Sequence, residues 1–114
     1  MASFPLASKA IDCAIAIQRR VLAYSDEQPE LGFRVRIGLN AGEPVAEEQD
    51  LYGIAVQLAA RICAAAEAGQ VVVSDVVRQL TAGKGFLFSD QGDTVLRGFE
   101  DPVPLFEVRW RDQA

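Results

Sequence analysis

Two side chains that can bind an anion stand four residues apart in an Ala-rich stretch of the chain. Gln57 and Arg61 are the first and last residues of "QLAAR". Residues four apart share one face of an α-helix. The Arg61 guanidinium is a fixed cation whose forked donors suit a phosphate oxygen, and the Gln57 amide can donate to an oxygen beside it. The pair therefore suits an anionic group that gains charge during a reaction. An Arg and a Gln on a solvated outer face would show the same pattern.

Three further residues have both a structural and a functional interpretation. Asp50 precedes the same helix, where it can cap the first free amides or accept a hydrogen bond from the exocyclic amine of a base. Arg36 stands beside Gly38 in "RVRIG", and a strand glycine can let a ligand approach the backbone. Arg97, in "VLRGF", is equally a simple turn cation. The acidic run "EPVAEEQD" fits no metal-ligand spacing and is most simply a solvated loop.

The composition argues against several classes of function. The chain has 114 residues, enough for one domain over 1–114, and its net charge of −5 argues against a nucleic-acid partner. With no histidine, it has no Ser–His or Cys–His pair and no His-ligated metal site. Cys13 and Cys63 fall in apolar helical patterns and are predicted to be buried free thiols. Without a membrane-length apolar run or a secretory leader, the predicted compartment is the cytoplasm.

Two long helices are predicted from hydrophobic periodicity. The first runs from Leu6 to about Tyr24, before a polar loop, and the second from Tyr52 to Ala68 with Gly69 as its C′ residue. On the second helix, Leu58 and Ile62 lie beside Gln57 and Arg61 and can face a core. The first helix has two adjacent apolar stripes, and the width of this face predicts packing under a sheet. These stripes are Leu6, Ala10, Cys13, Ile17, Val21 and Ile11, Ala14 or Ile15, Gln18, Leu22.

The remaining elements are predicted from alternation, short apolar runs and turn chemistry. They are a strand over Phe33–Leu39, a turn "NAGEP" with a returning strand "VAEE", a buried strand "QVVVSD", a short helix "VVRQLTAG" capped by Ser74 or Asp75, two strands "GFLFSD" and "DTVLRG" joined by a Gln91–Gly92 turn, and a final strand "VPLFEVRW". This order predicts an α/β domain of the α+β type, with helices packed on a mixed sheet.

Several of these stretches resemble the catalytic domain of class III adenylate/guanylate cyclases. The order and spacing of "FRVRIGLNAGE", "DLYGIAVQLAARICAAAEAGQVVVSDVVRQL" and "VLRGFEDPVPLFEV" agree with that family, and "MASFPLASKAIDCAIAIQ" is similar to the segment after its Asp-Gly turn. The resemblance implies a ferredoxin-like, palm-type domain with a mixed, mostly antiparallel sheet. It also implies conversion of ATP to 3′,5′-cyclic AMP and pyrophosphate between two head-to-tail domains, with Mg²⁺ or Mn²⁺ held by two aspartates.

Position by position, the resemblance assigns roles to five residues. Arg61 matches the arginine that stabilises the pentavalent phosphorus, and Gln57 matches a position normally held by Asn, which orients the ribose. Asp50 matches the purine-selecting position, where an acid usually selects adenine. Arg36 and Arg97 match triphosphate-binding positions. The resemblance therefore implies that Gln57 and Arg61 share a face because both point at a nucleotide across a dimer interface.

Departures from the family limit what this chain is expected to do alone. Gln57 is one methylene longer than Asn, and Asn40 replaces a common His. Both metal-binding aspartates, and the Lys partner of Asp50, should lie before Met1. The chain is therefore interpreted as an N-terminally truncated cyclase domain, its C-terminal two-thirds, binding ATP weakly and making no cyclic AMP. The alternative is a degenerate cyclase-homology domain with a dimerisation or regulatory role. An open sheet edge further predicts a homodimer, a strand-exchanged dimer or a higher oligomer.

Overall fold

A computed structural model describes residues 6–27, 34–41 and 53–112 of the chain. Its elements are α1 (Ala7–Glu27), β1 (Ile37–Leu39), α2 (Gly53–Ala65), β2 (Val71–Ser74), α3 (Asp75–Leu80), β3 (Phe88–Thr94), β4 (Val103–Val108) and a 3-10 turn (Trp110–Asp112). In these ranges the strands form one sheet in the order β1-β2-β4-β3. β1 and β2 are parallel, and the other two pairings are antiparallel. The predicted mixed, mostly antiparallel sheet with packed helices is therefore confirmed.

The sheet is covered on both faces, which is why β2 is a continuous apolar run. Val71 and Val73 point to one face and Val72 to the other, as strand geometry requires. The α1-side cluster contains Ile11, Ala14, Ile15, Val71, Val73, Val77, Val108 and Trp110. The α2-side cluster contains Ile62, Ala66, Val72, Leu96 and Leu105, with Leu58, Phe99 and Val103 packed against it.

Helix α1 buries only the second of its two predicted stripes. Ile11, Ile15 and Gln18 are buried, whereas Leu6 and Ile17 of the first stripe are 56% and 44% exposed. The helix also runs to Glu27 rather than ending near Tyr24. Ser25 lies seven residues after Gln18 and is likewise buried, so the packed face continues past the predicted end.

The predicted hairpin with its turn at Gln91–Gly92 is wrong. Phe88–Thr94 is a single strand, and both of its ends pair with β4. The register shifts between Asp90 and Asp93, which marks a β-bulge. Gly92 has a φ of 77°, and its N–H donates to the Asp90 carboxylate at 2.7 Å. The glycine therefore relieves a bulge within one strand instead of turning the chain.

Two predicted element ends also differ from the structure. Helix α2 ends at Ala65, and Gly69, with a φ of 86°, belongs to a separate turn in which Gln70 N–H donates to the Glu67 carbonyl at 3.0 Å. A left-handed residue was correctly expected at Gly69, but it is not the C′ residue of α2. The final strand ends at Val108, because Trp110 turns inward and its indole donates to the Gly69 carbonyl at 3.0 Å.

The predicted cap of the short helix is confirmed, but the predicted start of β1 and the full burial of the two thiols are not. The short helix α3 is capped by Ser74, whose hydroxyl accepts from Val77 N–H, as predicted. Strand β1 begins at Ile37 rather than at Phe33, and both "NAGEP" from Gly42 onward and "VAEE" lie outside the described residues. Cys13 and Cys63 are free thiols, but each is only half-buried. In the described part of the chain, each helix is too short or too polar to cross a bilayer.

Candidate functional site

Helix α2 has a buried face and an exposed face, and the exposed face carries Gln57 and Arg61. Ile62 is completely buried in the α2-side cluster, and Leu58 packs partly against it, as predicted. Gln57 and Arg61 are both exposed and lie one turn apart. Because their neighbours in sequence are packed, the backbone that carries the amide and the guanidinium is fixed against the sheet.

Arg97 occupies the tip of a tight turn that is packed against the same helix. Phe99 N–H donates to the Leu96 carbonyl at 3.1 Å, and Gly98 has a φ of 87°. This is a type II turn with Arg97 at its second position, where glycine must follow. Leu96 is 4% exposed and shares the α2-side cluster with Ile62, so α2 and this turn are fixed on one apolar base. Arg97 itself is exposed.

Arg36 lies where β1 meets α2. The thiol of Cys63, on α2, donates to the backbone carbonyl of Arg36 at a sulfur–oxygen distance of 3.6 Å. The Arg36 side chain is exposed. The expectation that the glycine at 38 leaves room for a ligand is wrong: the backbone of α2 at Cys63 already occupies that space.

The described site residues therefore lie on α2, directly before β1 and on the Leu96–Phe99 turn, and α2 packs against both β1 and this turn. Three of them, Arg36, Arg61 and Arg97, are arginines, which supply positive charge and hydrogen-bond donors, and the Gln57 amide adds an N–H donor beside its carbonyl oxygen. Such a set suits a polyanion, even on a chain with a net charge of −5. Asp50 lies outside the described residues.

A metal site is not found on the described part of the chain. Across residues 6–27, 34–41 and 53–112, no three His, Cys, Asp or Glu side chains are grouped so that they can hold a metal ion. The described residues therefore do not fit the two divalent ions that the sequence resemblance implies.

The sequence did not reveal two contacts that fix the site, those of Gly38 with α2 and of Leu96 with Ile62. A signal for the first was present, because a glycine between two apolar strand residues often marks a close backbone approach. The partner in that approach could not be read from the pattern. For Leu96, nothing in the surrounding sequence indicated that its side chain would pack against α2.

Comparisons with known proteins give a consistent result. A family model described as the adenylate and guanylate cyclase catalytic domain matches residues 2–108. A protein of Rhizobium meliloti (strain 1021) is 33% identical over 116 residues, covering 100% of this chain and 20% of its own length. The pH-sensitive adenylate cyclase of Mycobacterium tuberculosis (strain CDC 1551 / Oshkosh) is 36% identical over 80 residues, covering 67% of this chain and 20% of its own length.

A solved structure agrees as well. The adenylate/guanylate cyclase/hydrolase from Silicibacter pomeroyi superimposes with a TM-score of 0.78 at 33% identity, over 92% of this chain and 63% of that chain. The fold is thus the palm-type fold of these proteins. The chain spans only a fifth of the length of the two relatives above and less than two thirds of the solved chain.

Proposed function

The chain belongs to the adenylate and guanylate cyclase catalytic-domain family, and we propose that it forms one side of a cyclase site shared with a second such domain. In the proposed reaction the ribose 3′ oxygen of ATP attacks the α-phosphorus. The bond from that phosphorus to the pyrophosphate oxygen breaks, and the proton of the hydroxyl passes to water. The products are 3′,5′-cyclic AMP and pyrophosphate. In the simplest assembly the second domain comes from another copy of the same protein, in the cytoplasm.

The observation that carries the proposal is the exposed face of α2. Arg61 and Gln57 stand one turn apart on a helix whose opposite face is locked by Ile62. Donors held in place before reaction stabilise developing charge without reorganising, and removing one typically costs about 10²–10³ in rate. We assign Arg61 to the negative charge that grows on the phosphoryl oxygens, and Gln57 to the orientation of the ribose.

The other assigned residues act on the ends of the nucleotide. Arg36 and Arg97 are assigned to the triphosphate, which they would bind through charge-assisted hydrogen bonds. Asp50 is assigned to the purine, where its carboxylate accepts from the exocyclic amine of adenine and so favours ATP over GTP. Mg²⁺ or Mn²⁺ is assigned to the two aspartates that the family resemblance implies for an intact second domain, because the described residues of this chain group no three metal-ligating side chains.

Complementation tests the proposal directly. The 114-residue chain is mixed with the catalytic domain of the M. tuberculosis adenylate cyclase, in which the residue aligned with Arg61 has been changed to Ala. Cyclic AMP is measured with ATP and Mn²⁺. We expect activity to appear only on mixing, because this chain restores the missing arginine. Neither component should be active alone.

Two variants of the chain make the test specific. Arg61→Ala should lower the restored activity about 10²–10³-fold, because it removes the donor that meets the developing charge. Arg20→Ala, at an exposed arginine of α1, on the other side of the sheet, should leave it unchanged. Equal loss in both variants would contradict the assignment of Arg61.

A second candidate function is a degenerate cyclase-homology domain that only dimerises or regulates. Gln57 favours it, because the family position is normally Asn. If the two chains associate by light scattering but restore no cyclic AMP, this second function replaces the first. A chain that stays monomeric at high concentration would contradict both.

A further inference from the structure

The middle residue of β1 sits against the backbone of α2 with no room for a side chain. A Cβ built on Gly38 would lie 2.4 Å from the Cys63 nitrogen, 2.7 Å from the Cys63 Cα and 3.0 Å from the Ala59 carbonyl oxygen. All three neighbours are backbone atoms of a helix, so none can rotate away as a flexible side chain can. Ordinary van der Waals contact begins at 3.4 Å, so any side chain here must push strand and helix apart by about 1 Å.

Neither β1 nor α2 can move away from the other without losing packing contacts elsewhere in the fold. On the other face of β1, Ile37 and Leu39 pack against the α1-side cluster. Helix α2 is held by Ile62, which is fully buried in the α2-side cluster. The spacing between β1 and α2 is therefore set by the missing side chain of Gly38.

That spacing also separates two groups of proposed site residues. Arg36 lies two residues before Gly38, and Arg61 lies two residues before Cys63, whose thiol donates to the Arg36 carbonyl. A displacement of α2 from β1 moves Gln57 and Arg61 as a unit relative to Arg36. A misplacement of about 1 Å in a catalytic set can cost about 10²-fold in rate.

We propose that Gly38 is a positioning residue, which fixes the transition-state group on α2 at its working distance from the triphosphate group on β1. The inference rests on the proposed function. Gly38 itself touches no substrate. It acts only through the backbone of α2.

The test is Gly38→Ala in the complementation assay, with kcat and KM measured separately. We expect kcat to fall about 10²-fold, because Arg61 acts in the transition state. The matched control is Val73→Ala, which removes two methyl groups from a fully buried residue on the opposite face of the neighbouring strand. If Val73→Ala lowers Tm about as much as Gly38→Ala does, its kcat should still stay within about twofold of the wild-type value, because it leaves the β1–α2 contact unchanged.

A second readout follows the spacing itself and needs no activity. The Cys63 thiol is half-buried between α2 and β1, and Cys13 on α1 is a half-buried internal reference. Alkylation depends on thiol access, so the Cys63-to-Cys13 rate ratio, measured by mass spectrometry, should rise in Gly38→Ala and stay constant in Val73→Ala. An unchanged ratio in Gly38→Ala would overturn the claim that this glycine sets the spacing.

The outcomes separate this inference from the function on which it rests. An inactive wild-type mixture removes the proposed function and the positioning role together. An active wild-type mixture with undiminished Gly38→Ala, or with equal loss in Val73→Ala, removes the positioning role alone.

A second pair of variants serves if Gly38→Ala does not fold. Cys63→Leu adds bulk to the side chain that already reaches β1 and should lower kcat in the same way. Cys63→Ala keeps the backbone contact and should retain kcat. Full activity in Cys63→Leu would overturn the inference as surely as full activity in Gly38→Ala.

Discussion

A buried amide on α1 joins the starts of the two parallel strands, and its replacement gives a sharp test of how this part of the fold is held. Gln18 is 2% exposed, and its Nε2 donates to the carbonyls of Val35 at 2.9 Å and Gln70 at 3.0 Å. Each carbonyl also accepts one backbone bond, from Gly69 N–H at 2.9 Å and from Ile37 N–H at 3.1 Å respectively. The carbonyl of Val35 lies just before Arg36, so this contact also steadies a proposed site residue.

The expected loss in Gln18→Leu follows from these partners. Each lost hydrogen bond contributes a net 0.5–1.5 kcal/mol or so, and neither carbonyl loses its last donor. The free energy of unfolding should therefore fall by about 1–3 kcal/mol. Gln18→Glu should cost more, about 3–5 kcal/mol at pH 7, because it buries a charge and turns an acceptor toward two carbonyls.

The two variants should also differ in their pH dependence. Burial among carbonyls raises the pKa of a carboxyl at this site above its ordinary value of about 4.3. The folded state then binds a proton more tightly than the unfolded state, so the penalty of Gln18→Glu is smallest below about pH 4.3 and grows as the pH rises. Gln18→Leu should show no such additional slope.

Urea unfolding at several pH values measures both effects, with Arg20→Leu on the exposed side of α1 as the control. That control should change the free energy of unfolding by no more than about 0.5 kcal/mol. Hydrogen exchange at the amides of Gly69 and Ile37 should quicken in Gln18→Leu, because the carbonyls they bond are less fixed. The reasoning is refuted if Gln18→Leu costs nothing, or costs as much as Gln18→Glu at pH 7.

Three other changes have defined outcomes. Ile62→Ala should lower the free energy of unfolding by about 2–5 kcal/mol, because it empties a fully buried position between α2 and the Leu96–Phe99 turn; a loss near zero in urea would contradict this packing. The hydrogen bond from Arg78 lowers the pKa of the half-buried Asp75 carboxyl below 3.8. The contribution of this pair to stability is therefore complete above that pH and is lost as the pH falls through the lowered pKa. An NMR titration of Asp75 at or above 3.8 would contradict the pairing. Gln57→Asn, at an exposed position, should change stability by less than about 0.5 kcal/mol and raise cyclic AMP formation in the complementation assay, whereas a fall would mean that the longer amide suits this site.

Sequence patterns predicted the elements whose stability is decided locally. Helix α2 was expected from Tyr52 to Ala68 and is found at Gly53–Ala65, with Leu58 and Ile62 inward as its periodicity required. The run of valines in β2 was correctly predicted as a buried strand, because both faces of that strand are covered. Ser74 caps α3 through its own side chain, which is again a local signal.

The predictions failed where a distant partner decides the outcome. Gln91–Gly92 has the composition of a hairpin turn, but β4 is long enough to pair with the residues on both sides of it, and the glycine becomes a bulge. On α1, the two stripes could not be ranked from the sequence, because the position of the sheet and of the Val35 and Gln70 carbonyls selects the one that contains Gln18. The family resemblance supplied the site residues, but neither periodicity nor composition gave the contact between Gly38 and Cys63.

That contact accounts for the small residues on the strand-facing side of the helix that carries Gln57 and Arg61. Ala59 and Cys63 are one turn apart, and the Cys63 side chain reaches β1, so Ala59 is on the strand-facing side as well. Ala60, by contrast, is exposed. Leucine has the same intrinsic helix propensity at both of these adjacent positions. A difference in the free energy of unfolding between the two leucine variants therefore reports on the α2–β1 gap.

Ala59→Leu should overpack that gap and lower the free energy of unfolding by about 1–3 kcal/mol, whereas Ala60→Leu should change it by less than about 0.5 kcal/mol. Urea unfolding of the two variants side by side measures the difference. If both cost the same, the small residues of α2 reflect helix propensity alone, and the close approach of helix and strand does not constrain them.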